Sequence, residues 1–263
     1  MKLRSKECAK ILGVFVIPCY NEANRFNMTY FTKLLRELNT FKEDINIKFL
    51  FIDDGSTDQT FAKLEEISRS ENVMTLTLEN NLGKANAIRL GLIKAGSLNP
   101  NFVAYLDADG AFSVNSVIEG VKLYAHMSKY KEIDMMTFAR IKLSGNHISR
   151  TKHRHIIGRV IAFLLNLYSE IKIYDSQSGF KILSSKFLDP KVIAKPFETR
   201  WFIDWELIIR NEMPLHIIEM PIMHWSDVAN SRITVKNSLR VIQEVIIIKK
   251  LQLIGRADGS YRK

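Results

Sequence analysis

The run Ala104-Tyr105-Leu106 leads directly into Asp107, Ala108, Asp109 and Gly110. Residues two apart in an extended segment project to one side, so Asp107 and Asp109 bring two carboxylates together where a short apolar strand ends. Such a pair repels itself unless a cation, a set of donors or a shifted pKa accommodates it. A divalent ion carrying a diphosphate is a fitting occupant, because Mg²⁺ and Mn²⁺ are commonly held by one or two carboxylates while substrate phosphates complete the shell. Gly110 lets backbone come close to a ligand. Asp and Gly are also ordinary turn residues, and standing alone the pattern reads equally as a polar turn.

Three further loops carry polar residues at predicted element ends. Pro18-Cys19-Tyr20-Asn21-Glu22 follows one apolar run and Asp53-Asp54-Gly55-Ser56-Thr57-Asp58 another. Carboxylates placed there can accept from ribose hydroxyls or a base N–H, and Tyr20 can pack on a base. The competing role is helix capping and turn formation, which suits Ser56, Thr57 and Asp58. Asn80-Asn81-Leu82-Gly83-Lys84-Ala85-Asn86-Ala87 puts a glycine and a lysine at a helix start, where backbone N–H groups suit anions and Lys84 can reach a diphosphate. Neither strand-end loop contains Gly-x-Gly-x-x-Gly, which disfavours a dinucleotide oxidoreductase.

The elements that must position these loops follow from periodicity. β-branched apolar runs at residues 11–17, 47–52, 73–78, 102–106 and 133–139 alternate with helical patterns, as in a mostly parallel sheet flanked by helices. The expected helices span residues 28–41 with Phe31, Leu34, Leu35 and Leu38 inward, a segment starting at Ser56 or Thr57 with Phe61, Leu64 and Ile67 inward, residues 83–95, and a helix capped by Ser113 that runs to Met127. In open α/β sheets ligands bind beyond the carboxyl ends of the strands, so the loops after the first two strands are expected to face one crevice. The expectation is an α/β fold in a single domain over residues 1–230, followed by an amphipathic helical tail over 231–263. In that tail Leu239, Ile242, Val245 and Ile246 form a stripe opposite Arg240, Gln243 and Glu244.

The 263 residues include 46% hydrophobic side chains and carry a net charge of +10, with mean hydropathy −0.05 and pI about 9.5. The chain is long enough for a full core, and its charge favours a polyanionic partner: nucleic acid, an anionic membrane face or a phosphorylated small molecule. No nucleic-acid module is visible and the acids cluster where a binding face would lie, so nucleic acid is set aside. Two cysteines, Cys8 and Cys19, make no disulfide framework. No uncharged run approaches the roughly 20 apolar residues of a spanning helix, and the expected location is cytoplasmic, peripheral on the inner face of a membrane.

Taken together, Pro18-x-Tyr-Asn-Glu22, Asp53-Asp-Gly-Ser-x-Asp58, Asn81-x-Gly-Lys84 and Asp107-Ala-Asp109 resemble the family 2 glycosyltransferases of GT-A fold. Arg150-Thr-Lys-His-Arg154, Asp175-Ser-Gln-Ser-Gly-Phe-Lys181 and Arg200-Trp-Phe-Ile-Asp-Trp-Glu-Leu207 resemble their polyprenyl-phosphate branch, especially the dolichyl-phosphate β-glucosyltransferases. The resemblance implies inverting transfer of a hexose from a nucleotide sugar. It implies that Asp109 ligates Mg²⁺ or Mn²⁺ with Asp107 beside it near the nucleotide, and that Pro18, Tyr20, Glu22 and one or both of Asp53 and Asp54 hold the nucleoside. It further implies that Arg140, Arg150 and Arg154 hold the phosphate of a polyprenyl (dolichyl or undecaprenyl) acceptor, with Gln177 and Ser178 lining its pocket. Mannosyl members of that branch carry Gln two places after the second Asp; Ala111 stands there, which matches the glucosyl members and leans toward a UDP donor. A phosphate acceptor needs no base, whereas a glycan or protein hydroxyl needs a positioned carboxylate. Asp204 or Glu206 could supply it, and at spacing i, i+2 they cannot share a helical face. His224 reads as a structural histidine set against a late metal ligand, and Arg232 as a residue able to close on the diphosphate.

Overall fold

The computed structural model describes residues 11–40, 45–167, 169, 171–211, 214–226 and 235–257. The elements in order are β1 (Ile11–Cys19), α1 (Met28–Asn39), β2 (Ile45–Asp53), α2 (Thr60–Ile67), β3 (Val73–Thr77), α3 (Lys84–Gly96), β4 (Phe102–Leu106), α4 (Val114–Met127), β5 (Met135–Ala139), β6 (His147–Ser149) and α5 (Lys152–Asn166). The second part contains β7 (Phe180–Ser184), a 3-10 turn (Ser185–Leu188), α6 (Pro190–Ile193), α7 (Ile203–Arg210), β8 (Ile217–Pro221), β9 (His224–Ser226) and α8 (Val235–Ala257).

Seven strands form one sheet in the order β3-β2-β1-β4-β7-β5-β8. Every neighbouring pair is parallel except those made by β7, which runs antiparallel to both β4 and β5. The carboxyl ends of β1, β2, β4 and β5 and the start of β7 therefore share one edge of the sheet, and the polar loops leave from that edge. Strands buried on both faces read as near-continuous apolar runs. On β1, Phe15 and Ile17 enter the core beneath α1, α2 and α4, while Val14 and Val16 enter a second core beneath α3, α5, α6, α7 and α8.

Local signals account for most of the helices. Asn27 caps α1 by accepting from the Tyr30 N–H, and Phe31, Leu34, Leu35 and Leu38 are its buried face. Ser113 caps α4 in the same way, accepting from the Ser116 N–H. Helix α2 starts later than expected, at Thr60. Its first turn is held by Asp58, whose Oδ1 accepts from the Thr60 N–H at 2.9 Å. The Ser56 and Thr57 backbone amides instead tie the loop to Asp53 and Asn21. Phe61, expected inside, is 43% exposed.

The C-terminal helix α8 packs on α5 and α7. Its buried side chains are Glu244, Val245, Ile248 and Gln252, whereas Ile242 and Ile246 face outward. Of the expected stripe, Val245 is thus on the inner face and Ile242 and Ile246 on the outer one, while the Leu239 side chain lies outside the described residues. Glu244 lies on the inner one because its carboxylate accepts the Trp201 N–H at 3.0 Å.

Candidate active site

The Asp107–Asp109 pair lies at the carboxyl end of β4, beside the start of α3 and the entry to β7. The Lys84 ammonium sits 2.5 Å from Asp107 Oδ1. Burial alone would lower the Lys84 pKa, but the Asp107 carboxylate overrides it and holds the group above the ordinary lysine value. The Asp107 N–H donates to the Gly179 carbonyl at 2.9 Å. A Cβ at Gly179 would stand 2.1 Å from Asp107 Oδ2, so this close approach admits only glycine. Asp109 is half-buried, and its Oδ1 accepts the Ala111 N–H at 3.1 Å. Burial first, then the Asp107 charge, pushes its carboxyl above the usual range. Lys84 thus serves Asp107 directly, while Asp109 lacks comparable compensation. A divalent cation fits this oxygen donor set.

The two loops after β1 and β2 are zipped together. The Asn21 N–H donates to Ser56 Oγ at 3.0 Å, Glu22 N–H to Thr60 Oγ1 at 2.7 Å and Ala23 N–H to Asp58 Oδ2 at 3.1 Å. Tyr20 and Pro18 are half-buried on this edge. Glu22 is buried, with Oε1 paired to Arg25 at 2.5 Å. Asp53 is buried and accepts the Ser56 N–H at 3.0 Å.

Asp54 is occupied otherwise. Its carboxylate accepts from Leu82 N–H at 2.7 Å, Gly83 N–H at 2.9 Å and Asn81 Nδ2 at 2.9 Å. It therefore clamps the loop that presents Lys84. Burial still raises its pKa. The same bonds correct the expectation of an anion-binding helix start: the Gly83 amide belongs to Asp54, and the Ala85 N–H donates to the Arg200 carbonyl at 2.9 Å. Lys84 contributes through its side chain. Gly83 takes φ +90° with the Arg200 side chain 2.9 Å from where a Cβ would sit.

The basic side of the site is built around Asp175. The Arg140 guanidinium, just past β5, donates Nε to Asp175 Oδ2 at 2.7 Å and Nη2 to Oδ1 at 2.8 Å, a bidentate fork. Arg140 is therefore a support whose fork is turned to Asp175. Arg150 approaches the same carboxylate, Nη1 at 4.0 Å. Burial would raise Asp175, but these arginines hold it at about 2. Arg154 lies on the first turn of α5, and its side chain, like Arg232, falls outside the described part. The Ser178 hydroxyl donates to the Phe138 carbonyl, and the residue is buried. Gln177 Nε2 and Ser176 Oγ are buried with no hydrogen-bond partner among the described residues.

Beneath this loop Lys181, fully buried on β7, donates to the carbonyls of Ser176 and Ser178 at 3.1 and 2.6 Å and pairs with Asp204 at 2.8 Å. Asp204 also accepts from the Tyr105 hydroxyl. Burial pushes Lys181 down to about 7 and Asp204 well up. Glu206 is internal too: it accepts from the Thr199 N–H at 2.6 Å and pairs with Arg210 at 2.9 Å. His224, in β9, is exposed and stacks on His147 at 5.0 Å.

Sequence reasoning assigned no role to Arg25, Tyr105 or Lys181. Lys181 left a readable trace as a lysine inside an otherwise buried strand, whereas Arg25 and Tyr105 are marked only by the carboxylates they meet, Glu22 and Asp204. Among the described residues, Glu132, Asp134 and His216 form a group with metal-ligand spacing. It lies at the opposite sheet edge, and Lys186 already stands 2.6 and 2.9 Å from its two acids.

The sequence model of glycosyl transferase family 2 matches residues 14–189. Dolichyl-phosphate beta-glucosyltransferase of Drosophila melanogaster is 27% identical over 233 residues, covering 83% of this chain and 68% of the relative. UDP-N-acetylglucosamine–dolichyl-phosphate N-acetylglucosaminyltransferase of Methanococcus voltae is 26% identical over 223 residues, covering 79% and 83%. Glucosyl-3-phosphoglycerate synthase from Mycobacterium tuberculosis, solved with Mn²⁺ and UDP-glucose, superposes with TM-score 0.62 at 17% identity over 92% of this chain and 79% of that one. That likeness is one of fold, GT-A.

Proposed function

This chain belongs to glycosyl transferase family 2, and on that premise we propose that it moves a hexose, with inversion, from a UDP-glucose-like donor to a polyprenyl phosphate. The observation that carries the choice of acceptor is the state of Asp204. With Glu206 it is one of the two carboxylates that a hydroxyl acceptor would call on as a base, yet its side chain is buried with Lys181 and the Tyr105 hydroxyl. A phosphomonoester has a second pKa near ~6 and is largely dianionic at neutral pH, so it attacks without losing a proton. The relatives' acceptors, as their names state, are dolichyl phosphates.

In this reading Pro18, Tyr20, Glu22 and Asp53 hold the nucleoside, and Asp54 serves by fixing the loop of Lys84. Lys84 and Asp107 face the diphosphate. Asp107 and Asp109 would hold Mg²⁺ or Mn²⁺, and such an ion when bound offsets charge on the departing nucleoside diphosphate. Arg150, Arg154 and Gln177 receive the acceptor phosphate, while Arg140, through Asp175, orients Arg150. The phosphate oxygen bonds to the anomeric carbon as the bond from that carbon to the diphosphate oxygen breaks. Charge leaves on the UDP, toward which the Lys84 ammonium is aimed. In this reading α8 (Val235–Ala257) packs on the catalytic domain, with the protein at work in the cytoplasm on the inner face of an anionic membrane.

The test is transfer of label from UDP-glucose, set against other UDP- and GDP-sugars, to undecaprenyl phosphate with Mg²⁺ or Mn²⁺, followed by organic extraction. Organic-phase label that vanishes with EDTA and in Asp109→Ala supports the proposal. Donor hydrolysis or transfer to a water-soluble glycan with no labelled lipid would overturn it.

A further inference from the structure

Helices α5 and α8 lie side by side over the second core. Leu165 on α5 and Val245 and Ile248 on α8 are buried in it, and the Gln252 amide of α8 donates to the Leu165 carbonyl at 3.4 Å. With these faces turned inward, the opposite faces of both helices point out of the same layer. Those outer faces are apolar. Ile156, Val160 and Phe163 on α5 and Ile242, Ile246 and Leu253 on α8 are each more than half exposed. Single exposed apolar residues need no explanation, but a run along one face of two neighbouring helices marks an interaction surface.

Charge identifies the occupant. The sequence of α5 contains no acidic residue and that of α8 contains one, Glu244, which is buried. Arg240 and Lys250 are exposed beside the apolar side chains of α8. The outer surface is therefore apolar and basic with no described exposed acid, in a chain of net charge +10. A second copy of this chain would set the same basic residues against one another across a two-fold axis. An anionic lipid surface complements both properties, because headgroups attract the basic residues while the acyl boundary takes up the apolar ones. No helix among the described residues is long and apolar enough to cross a membrane.

The surface is also joined to the site. Arg150, which immediately precedes α5, reaches toward Asp175. On the inner side of α5, Arg159 stacks over the Tyr174 ring at 3.7 Å, next to the loop that carries Gln177. We infer that the paired outer faces of α5 and α8 form one in-plane docking surface for anionic phospholipid, which sets the 175–179 loop at the headgroup level. This rests on the lipid-phosphate reading for its purpose, since that reading requires the site to meet a bilayer. Its measurement is independent of transfer.

The experiment is co-flotation of the full chain with vesicles of phosphatidylcholine mixed with phosphatidylglycerol, and with vesicles of phosphatidylcholine alone. The wild type should float with the mixed vesicles and lose this with rising salt. Phe163→Asp combined with Ile246→Asp should weaken the partition at least about tenfold, because both apolar contacts are lost. Lys250→Glu should weaken it several-fold on the anionic vesicles. Both variants should keep the wild-type melting temperature and their transfer to a short, water-soluble prenyl phosphate. Wild-type flotation unaffected by these substitutions, or no flotation at all, would overturn the inference. So would a wild-type dimer that the double variant makes monomeric without change in flotation. Flotation that obeys these expectations in a protein that glycosylates no prenyl phosphate would leave the surface standing and remove the catalytic reading.

Discussion

Asp204→Asn separates a buried structural pair from a general base. In the structure the Asp204 carboxylate is enclosed with the Lys181 ammonium at 2.8 Å, and both side chains are almost wholly buried. Removing one partner of such a pair strands the other, at a cost of up to about 3–5 kcal/mol while Lys181 stays protonated, a loss that grows as pH falls below the value of about 7 to which burial brings Lys181. In a chain of this size each kcal/mol lowers Tm by about 2–4 °C, so below pH 7 the variant should melt roughly 6–20 °C below the wild type. Adding Lys181→Met removes the stranded charge. The remaining loss, about 1–3 kcal/mol for each, is that of the Ser176 and Ser178 carbonyls deprived of their donor. Urea unfolding of the wild type, the single variant and the double variant gives these differences directly. Turnover, measured at a temperature where Asp204→Asn is still folded, should stay within about tenfold of wild type, since general-base loss costs about 10²–10⁴ in rate. Any loss should lie in KM for the acceptor, because Lys181 holds the carbonyls on either side of Gln177. An unchanged Tm together with a fall in kcat of about a hundredfold or more would refute the reasoning and make Asp204 the base.

Three other perturbations test separate parts of the site. Gly179→Ala drives a Cβ to 2.1 Å from Asp107 Oδ2; displacing that carboxylate by about 1 Å should lower kcat on the order of a hundredfold, and a wild-type kcat would show that Asp107 needs no fixed position. Arg150→Ala should raise KM for the acceptor by about 10- to 100-fold, the worth of a charged hydrogen bond, and leave KM for the donor unchanged; the opposite split would move Arg150 to the donor side. Asp175 is held at about 2 against an ordinary 3.8. Its folded pKa is depressed, so its contribution of roughly 2 kcal/mol is present above the unfolded value and is lost as pH falls from about 4 through about 2. Urea midpoints across that window should fall more steeply in the wild type than in Asp175→Asn, and equal slopes would contradict the pairing with Arg140 and Arg150.

Much of this architecture is legible in the sequence because it is local. The strand runs, the Asn27 and Ser113 caps and the buried stripe of α1 follow from periodicity and capping. The polar loops gather because parallel strands end at one edge. What escaped is long-range. β7 enters between β4 and β5 in the reverse direction, and no pattern within Phe180–Ser184 announces it. Asp53 and Asp54 are adjacent and chemically identical, yet Asp54 is drawn to three donors of a loop 27 to 29 residues away. Arg140 is expected from the sequence to hold a phosphate, and in space its fork is bidentate on Asp175. Two apolar stripes run along α8, and the distant Trp201 and Arg200 amides, not the helical pattern, turn Glu244 inward.

The central claim is that a phosphate, not a hydroxyl, is the nucleophile. The most direct measurement offers the same prenyl chain as its phosphate and as its free alcohol, with labelled UDP-glucose and Mg²⁺ or Mn²⁺, and analyses the lipid products. The account predicts label on the phosphate alone, with the hexose joined through a phosphodiester. A hexose attached directly to the prenyl alcohol, at a rate comparable to that with the phosphate, would contradict it.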